Sequence, residues 1–324
     1  MESRIFGLET DPIELLLSCD TPSIEYFTRR DLLKEQVLGV EELWELKPVS
    51  KILKRQQEDG SWKYPGKIRE EIRSSHDYNQ LETFRILGEL VEKYGLNRKH
   101  RQIQKAANFL FSCQTPEGDF RGIYGNQYAP TYSPAIMELL IKAGYVNNPQ
   151  IEKGFSWLLS QRQDDGGWAI PLRTRKITYK EALTLPETIE TDPSKPFSNL
   201  TTGMVIRAFA AHPKYRKSIE AKIAGELLTS RFFKADKYPD RKDKKYWESV
   251  SYPFWFTNIV SALDSLSFLG FTQDNHQIKE GLNFLRDKQD KEGLFDLKLL
   301  MIKDKDLKYW ICLAICRVFQ RFYQ

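Results

Sequence analysis

The sequence predicts an all-α fold built from repeated helical hairpins, and two observations carry that prediction. Four stretches share one short pattern of an acid, a glycine, a spacer and an aromatic: RQQEDGSW at 55–62, CQTPEGDF at 113–120, QRQDDGGW at 161–168 and KQDKEGLF at 288–295. Between them lie segments of helical periodicity that alternate between a single apolar stripe and apolar residues nearly all round. The glycines Gly60, Gly118, Gly166 and Gly293 stand 58, 48 and 127 residues apart. A unit near fifty residues is the length of a helix pair, and the last gap leaves room for one degenerate copy, with the stretch 226–247 as its candidate.

Taken in order, the chain predicts an N-terminal helix pair within 11–38 and five outer-inner pairs between 42 and 324, six hairpins in all. The stretches 97–114, 148–163 and 275–289 open on Asn and carry one apolar stripe, as in Ile103, Ala107 and Leu110, which marks surface-facing helices. The stretches 132–145, 256–271 and 307–319 are apolar nearly all round and should be enclosed. Glycine just past a helix supplies the left-handed C-terminal turn that a side chain would penalise by roughly 1 kcal/mol. The aromatic two residues later can fold back on the helix it has left. Asp164 and Asp165 have the form of an acid-base pair, yet the other copies place a lone acid before the glycine or follow the same turn pattern, so the shared turn is the reading adopted. The stretch 171–197 is the one long insertion without an assigned element.

Composition narrows the function classes. The 324 residues are 41% hydrophobic and carry 49 Lys and Arg against 44 Asp and Glu, with the two signs interspersed, so no nucleic-acid partner is expected. Cys19, Cys113, Cys312 and Cys316 form no CxxC pair, which fits a reducing compartment, and the acid-bearing N-terminus does not read as a signal peptide. A cytoplasmic protein is the expectation. The aromatic-apolar tract 252–271 approaches membrane-spanning length but contains Asn258 and Asp264, so it is read as an enclosed helix, with peripheral membrane contact left open. No Gly- or Ser-rich linker divides the chain, and residues 1–324 are read as one domain. Phosphate-binding, zinc-protease, nucleophile-elbow and dinucleotide signatures are absent from the sequence, and neither metal nor cofactor is expected.

The turns in LLSQRQDDGGW and ILKRQQEDGSW, and the segment order that begins with DPIELLLSCDTPSIEYFTRRDLL, resemble the repeats of squalene and oxidosqualene cyclases and of protein prenyltransferase β subunits. The order of segments is closest to a prokaryotic squalene-cyclase-like branch of that superfamily. The resemblance implies an (α/α)6 toroid with inner and outer helices and an apolar, aromatic cavity whose ring faces attract cationic centres by about 0.5 to 2 kcal/mol each. It implies an isoprenoid or other apolar ligand, with Tyr78, Tyr128, Tyr132, Tyr252, Trp255, Phe256, Tyr309 and Trp310, near the starts of inner helices, as the aromatics to line the cavity. The DxDD acid of squalene-type cyclases is missing, as is a zinc set, and Cys312 and Cys316 read as core.

Two groups of candidate site residues remain. His76 and Asp77, at the expected start of an inner helix, would face the cavity mouth, with Asp77 better suited to cap the helix because a helix start stabilises its ionised form. In the insertion, Arg173 and Arg175 could hold a diphosphate, while Glu187, Glu190 and above all Asp192 are the acids to consider as a proton source. The ligand-binding toroid could act as a non-standard terpenoid cyclase, a lyase or isomerase without the DxDD acid, and the alternative to it is a non-catalytic protein-interaction scaffold whose partner the sequence does not name.

Overall fold

The computed structural model describes residues 5, 7–70, 73–300 and 304–324. The chain opens with two short helices, α1 (Ile13–Leu17) and α2 (Pro22–Phe27), the second prolonged by a wide turn to Leu32. There follow α3 (Lys47–Leu53), α4 (Ser75–Tyr94), α5 (Arg101–Ser112), α6 (Tyr132–Leu140, prolonged to Tyr145) and α7 (Pro149–Ser160). The insertion holds two single-turn helices, α8 (Pro171–Thr174) and α9 (Tyr179–Ala182). The remainder is α10 (Asn199–Ala211), α11 (Ile219–Thr229), α12 (Ile259–Phe268), α13 (His276–Asp287) and α14 (Leu307–Tyr323).

Packing turns this list into a ring. The apolar helices lie side by side in chain order, α4 on α6, α6 on α10, α10 on α12 and α12 on α14, and the circuit closes where α14 meets α2 and α2 meets α4. The striped helices pack outside them, α3 and α5 on α4, α7 on α6, α11 on α10 and α13 on α12. The sequence pattern explains the division. Along α10 every residue from Asn199 to Ala210 is buried, whereas α13 buries only Ile278, Gly281, Leu282 and Leu285. A one-stripe helix can seal the ring on one side and meet water on the other.

The glycine turns form the rim that ties outer helices together. Gln56 Nε2 donates to the Gly60 carbonyl at 2.9 Å and to the Gln102 carbonyl of α5 at 2.8 Å. Gln114 repeats this with Gly118 and with Gln150 of α7, both at 2.8 Å. Gln289 donates to Gly293 and to Thr10, just ahead of α1, so the same bond joins the last repeat to the first. In the third copy Arg162 stands where the others have Gln and donates to Gly166 at 3.1 Å, with its guanidinium over the Trp168 ring. All four turn glycines have φ between 92° and 115°. At Gly60 a Cβ would also lie 2.3 Å from the Lys105 carbonyl oxygen, so glycine is required twice over.

The turn aromatics fold back as expected. Trp62 and Trp168 are fully buried and their indole N–H groups donate to Ile52 and Leu158 carbonyls. Their backbone N–H groups, with that of Phe120, each meet a hydroxyl on the next inner helix: Thr83, Thr202 and Ser133, at 2.9 to 3.0 Å. In the stretch 226–247 the same devices survive at wider spacing, since Arg231 donates to the carbonyl of Ala235 and buried Trp247 donates to that of Lys234.

One expectation needs correction. The tract 252–271 is helical only from Ile259 to Phe268, because Asn258 and Ser261 form a reciprocal cap there. Residues 252–256 instead cross α14, α4 and α10 as non-helical chain, with Tyr252 on Trp310, Pro253 beside Gly88 and Phe254 held by Arg207. The insertion, in turn, is tied down along its length. Asn126 and Gln127 hold the carbonyls of Ala182, Leu185, Pro186 and Glu187, and Gln163 holds those of Asp192 and Lys195.

Candidate functional site

A cavity of about 960 Å³ lies between α4, the crossing chain 252–255 and the approach to α14. On α4 the lining residues Phe84, Arg85, Gly88 and Glu89 fall on one face at the three- and four-residue spacing of a helix. Trp255, Tyr252 and Phe254 come from the crossing chain, Trp310 from α14 and Leu139 from α6. The rings touch in series. Phe84 lies 5.4 Å from Trp255 and 5.9 Å from Tyr132, edge to face, and Tyr252 is stacked on Trp310 at 5.4 Å. From Tyr132 the series continues to Tyr124 and then to Tyr179 of the insertion.

Charge holds the crossing chain in place. Arg207 of α10 is 6% exposed; its Nη2 donates to the Phe254 carbonyl at 2.8 Å and stands 2.7 Å from Glu138 Oε2 of α6. Glu138 in turn meets Lys142 at 2.7 Å, and Lys142 meets Glu92 of α4 at 2.5 Å. Burial alone would raise the Glu138 pKa, but the Arg207 and Lys142 charges outweigh it and hold the carboxyl below its usual range. Behind Tyr252, Arg317 pairs with Asp31 at 2.5 Å and donates to the Tyr252 hydroxyl at 3.3 Å. Burial of that phenol pushes its pKa up, so it stays neutral. Toward the approach to α14, Lys93 pairs with Asp304 and lies over the Trp310 ring. Tyr94, which also lines the cavity, has its pKa pushed up to about 12, chiefly by burial.

Of the aromatics singled out in the sequence, Tyr252, Trp255 and Trp310 line the cavity, and Tyr132 backs Trp255 at 6.4 Å between ring centres. Tyr78 packs instead on Tyr64 beneath the Arg73 guanidinium, and Phe256 lies under Arg241. Tyr309 is covered by Lys308, and Tyr128 donates a hydrogen bond to Glu117.

The polar candidates lie elsewhere. Asp77 closes a reciprocal cap with Ser74, as its place at a helix start favours, and His76 is exposed, 3.5 Å from Cys113 Sγ. Arg173 grips Asp240 through two bonds of 2.7 and 2.8 Å, while Arg175 donates to the Glu190 and Thr191 carbonyls. Asp192 accepts from the Ser194 hydroxyl, which together with Lys195 and Arg175 holds its pKa below the ordinary carboxylate value. None of these five candidates lines the cavity described above. The residues that sequence reasoning missed are Phe84, Gly88, Glu138 and Arg207. A charged residue inside an otherwise apolar inner helix, as at Glu138 and Arg207, is the signal that would have found two of them.

Residues 76–181 match the family described as the squalene-hopene cyclase C-terminal domain. Over that stretch, from α4 to α9, the chain is squalene-cyclase-like. No curated protein matches the sequence. Among solved structures the chain is similar to a protein from Actinoplanes (12% identity, 88% of each chain, TM-score 0.39). A polysaccharide lyase aligns at 10% identity over 87% of each chain, with a TM-score of 0.45. The type II terpene cyclase MstE from Scytonema aligns at 10% identity over 87% of this chain and 97% of that one, with a TM-score of 0.35. The squalene-cyclase-like match starts at the beginning of α4, the helix that supplies the largest share of the cavity wall.

Proposed function

We propose that this protein binds an isoprenoid or similarly apolar small molecule in the cavity between α4, the crossing chain and α14. The observation that carries the reading is the wall itself: Phe84, Tyr252, Phe254, Trp255 and Trp310 present rings to one space of about 960 Å³. Cavities of this size, mainly apolar and with a few fixed polar groups, are the usual form of small-molecule sites. Trp255 is half-buried although it is the kind of side chain a closed core would cover, which leaves part of its ring for a ligand.

The scaffold reading has less support. The large exposed apolar residues Leu38, Leu185, Ile219 and Phe268 sit on separate segments and make no argument for a shared docking face. Of the two acids expected to start a cyclisation, Asp192 is held ionised and Asp77 closes a helix cap, so neither supports a proton-initiated reaction. We therefore propose binding, with no reaction step assigned.

The test is direct. Squalene, farnesol and farnesyl diphosphate would be titrated while tryptophan fluorescence and melting temperature are followed. Binding should raise the melting temperature, and Trp255→Ala should weaken it by about tenfold, in line with the loss of one large aromatic contact. If no apolar ligand shifts either signal, the reading fails.

A further inference from the structure

The glycine at the centre of the cavity wall is the feature that neither packing nor backbone geometry accounts for. Five glycines lie inside the regular helices α4, α7, α10, α11 and α13: Gly88, Gly154, Gly203, Gly225 and Gly281. At four of them an added Cβ would press on a neighbouring side chain, 2.6 Å from Met137, 2.3 Å from Thr257, 2.5 Å from Phe271 and 3.1 Å from Ile259 respectively. Those four let one helix approach its neighbour. Gly88 differs, because its Cβ would find nothing nearer than Leu139 at 3.4 Å and Pro253 at 3.9 Å, which are ordinary contacts.

Nor does the backbone require glycine there. Gly88 sits in the middle of the 20-residue α4, in helical conformation, where glycine weakens the helix relative to alanine. What a side chain would occupy is the cavity: Gly88 lies on its wall one turn after Phe84, facing Leu139 of α6 and Pro253 of the crossing chain.

We infer that Gly88 is a specificity-determining position, an opening in the wall that sets how long an apolar ligand the cavity admits. The inference rests on the binding function proposed above and adds which residue limits the ligand. With hydrogen at this position the space between Phe84, Leu139 and Pro253 stays continuous with the rest of the cavity. A branched or aromatic side chain would divide it. Leu139 bounds the same space from the opposite helix, so enlarging it should act in the same direction.

The experiment uses the full chain and three prenyl alcohols of rising length, geraniol, farnesol and geranylgeraniol, titrated by tryptophan quenching. Wild type should bind geranylgeraniol tightest. Gly88→Leu and Leu139→Phe should each weaken geranylgeraniol at least about tenfold more than geraniol. Gly88→Ala, which adds a methyl group at ordinary contact distance, should melt no lower than wild type, as expected where glycine is unforced. A uniform loss across the three alcohols in both larger variants, or no loss in either, overturns the inference while the binding function stands. A Gly88→Ala chain that melts well below wild type also overturns it, because the space would then be needed for packing. If wild type binds none of the alcohols, the function and the inference fall together.

Discussion

The rim of the ring and its hollow follow opposite rules. At the rim one local solution is repeated, a left-handed glycine, a long polar side chain reaching its carbonyl four residues on, and an aromatic folded inward, and in three of the four copies the same glutamine also reaches a main-chain carbonyl of the neighbouring segment. In the hollow nothing repeats. Four of the inner helices contribute different groups, Phe84 and Gly88 from α4, Glu138 from α6, Arg207 from α10 and Trp310 from α14. Periodic stability comes from the rim, and individuality is confined to the space it encloses.

The largest effect should come from breaking the hollow's charge chain. Glu138→Gln leaves the buried Arg207 without its counter-charge, while the more exposed Lys142 keeps Glu92, and should cost about 3 to 5 kcal/mol, read from urea unfolding. Its selectivity is the sharper result: the Arg207 bond to Phe254 should loosen, so ligand binding should fall in the fraction that stays folded. Next comes the rim. Gly60→Ala forces a left-handed alanine against the Lys105 carbonyl and should cost more than about 2 kcal/mol, whereas Gly88→Ala in the hollow should cost nothing. Equal costs at the two glycines would erase the contrast between the regions.

A smaller effect tests the seam. Gln289→Ala removes bonds to Thr10 and Gly293 and the acceptor for the Glu9 and Thr10 amides, for a loss of about 1 to 3 kcal/mol. Amide exchange should speed up in α1 before it does in α5.

The smallest is a pH step at His212, near the outer end of α10. Burial lowers its pKa below 6.5, while its ring accepts from the Lys214 amide and meets the Val146 carbonyl at 3.2 Å, an arrangement that suits the neutral form. Because the folded value is the lower one, stability is full above pH 6.5 and declines as pH falls toward the folded pKa. Unfolding midpoints measured from pH 8 down to pH 5.5 should show this step, and His212→Asn should remove it.

How far the sequence could be read follows from the same contrast. Gly60, Gly118, Gly166 and Gly293 announced themselves because each copy corroborates the others, and the strongly apolar α14 could only be enclosed. The helical hairpins and the aromatic character of the hollow were therefore legible. The cavity wall was readable in part, through Tyr252, Trp255 and Trp310, since large rings near helix starts stand out. Gly88 was not, because a glycine without a neighbouring copy looks like any helix interruption until the space beside it is known. The tract 252–271 misled for a related reason. Its hydrophobicity fits a buried helix equally well as a buried crossing chain, and the choice was made locally by Asn258 capping Ser261.

The bond from Gln289 back to Thr10 changes the arithmetic of unfolding. In an open stack of repeats the terminal units have a neighbour on one side only, and they fray first. Joined head to tail, the array has no such ends, and every repeat is clasped from both sides. Loss of structure must then begin by severing a link somewhere in an unbroken circle, which favours one concerted transition over gradual peeling.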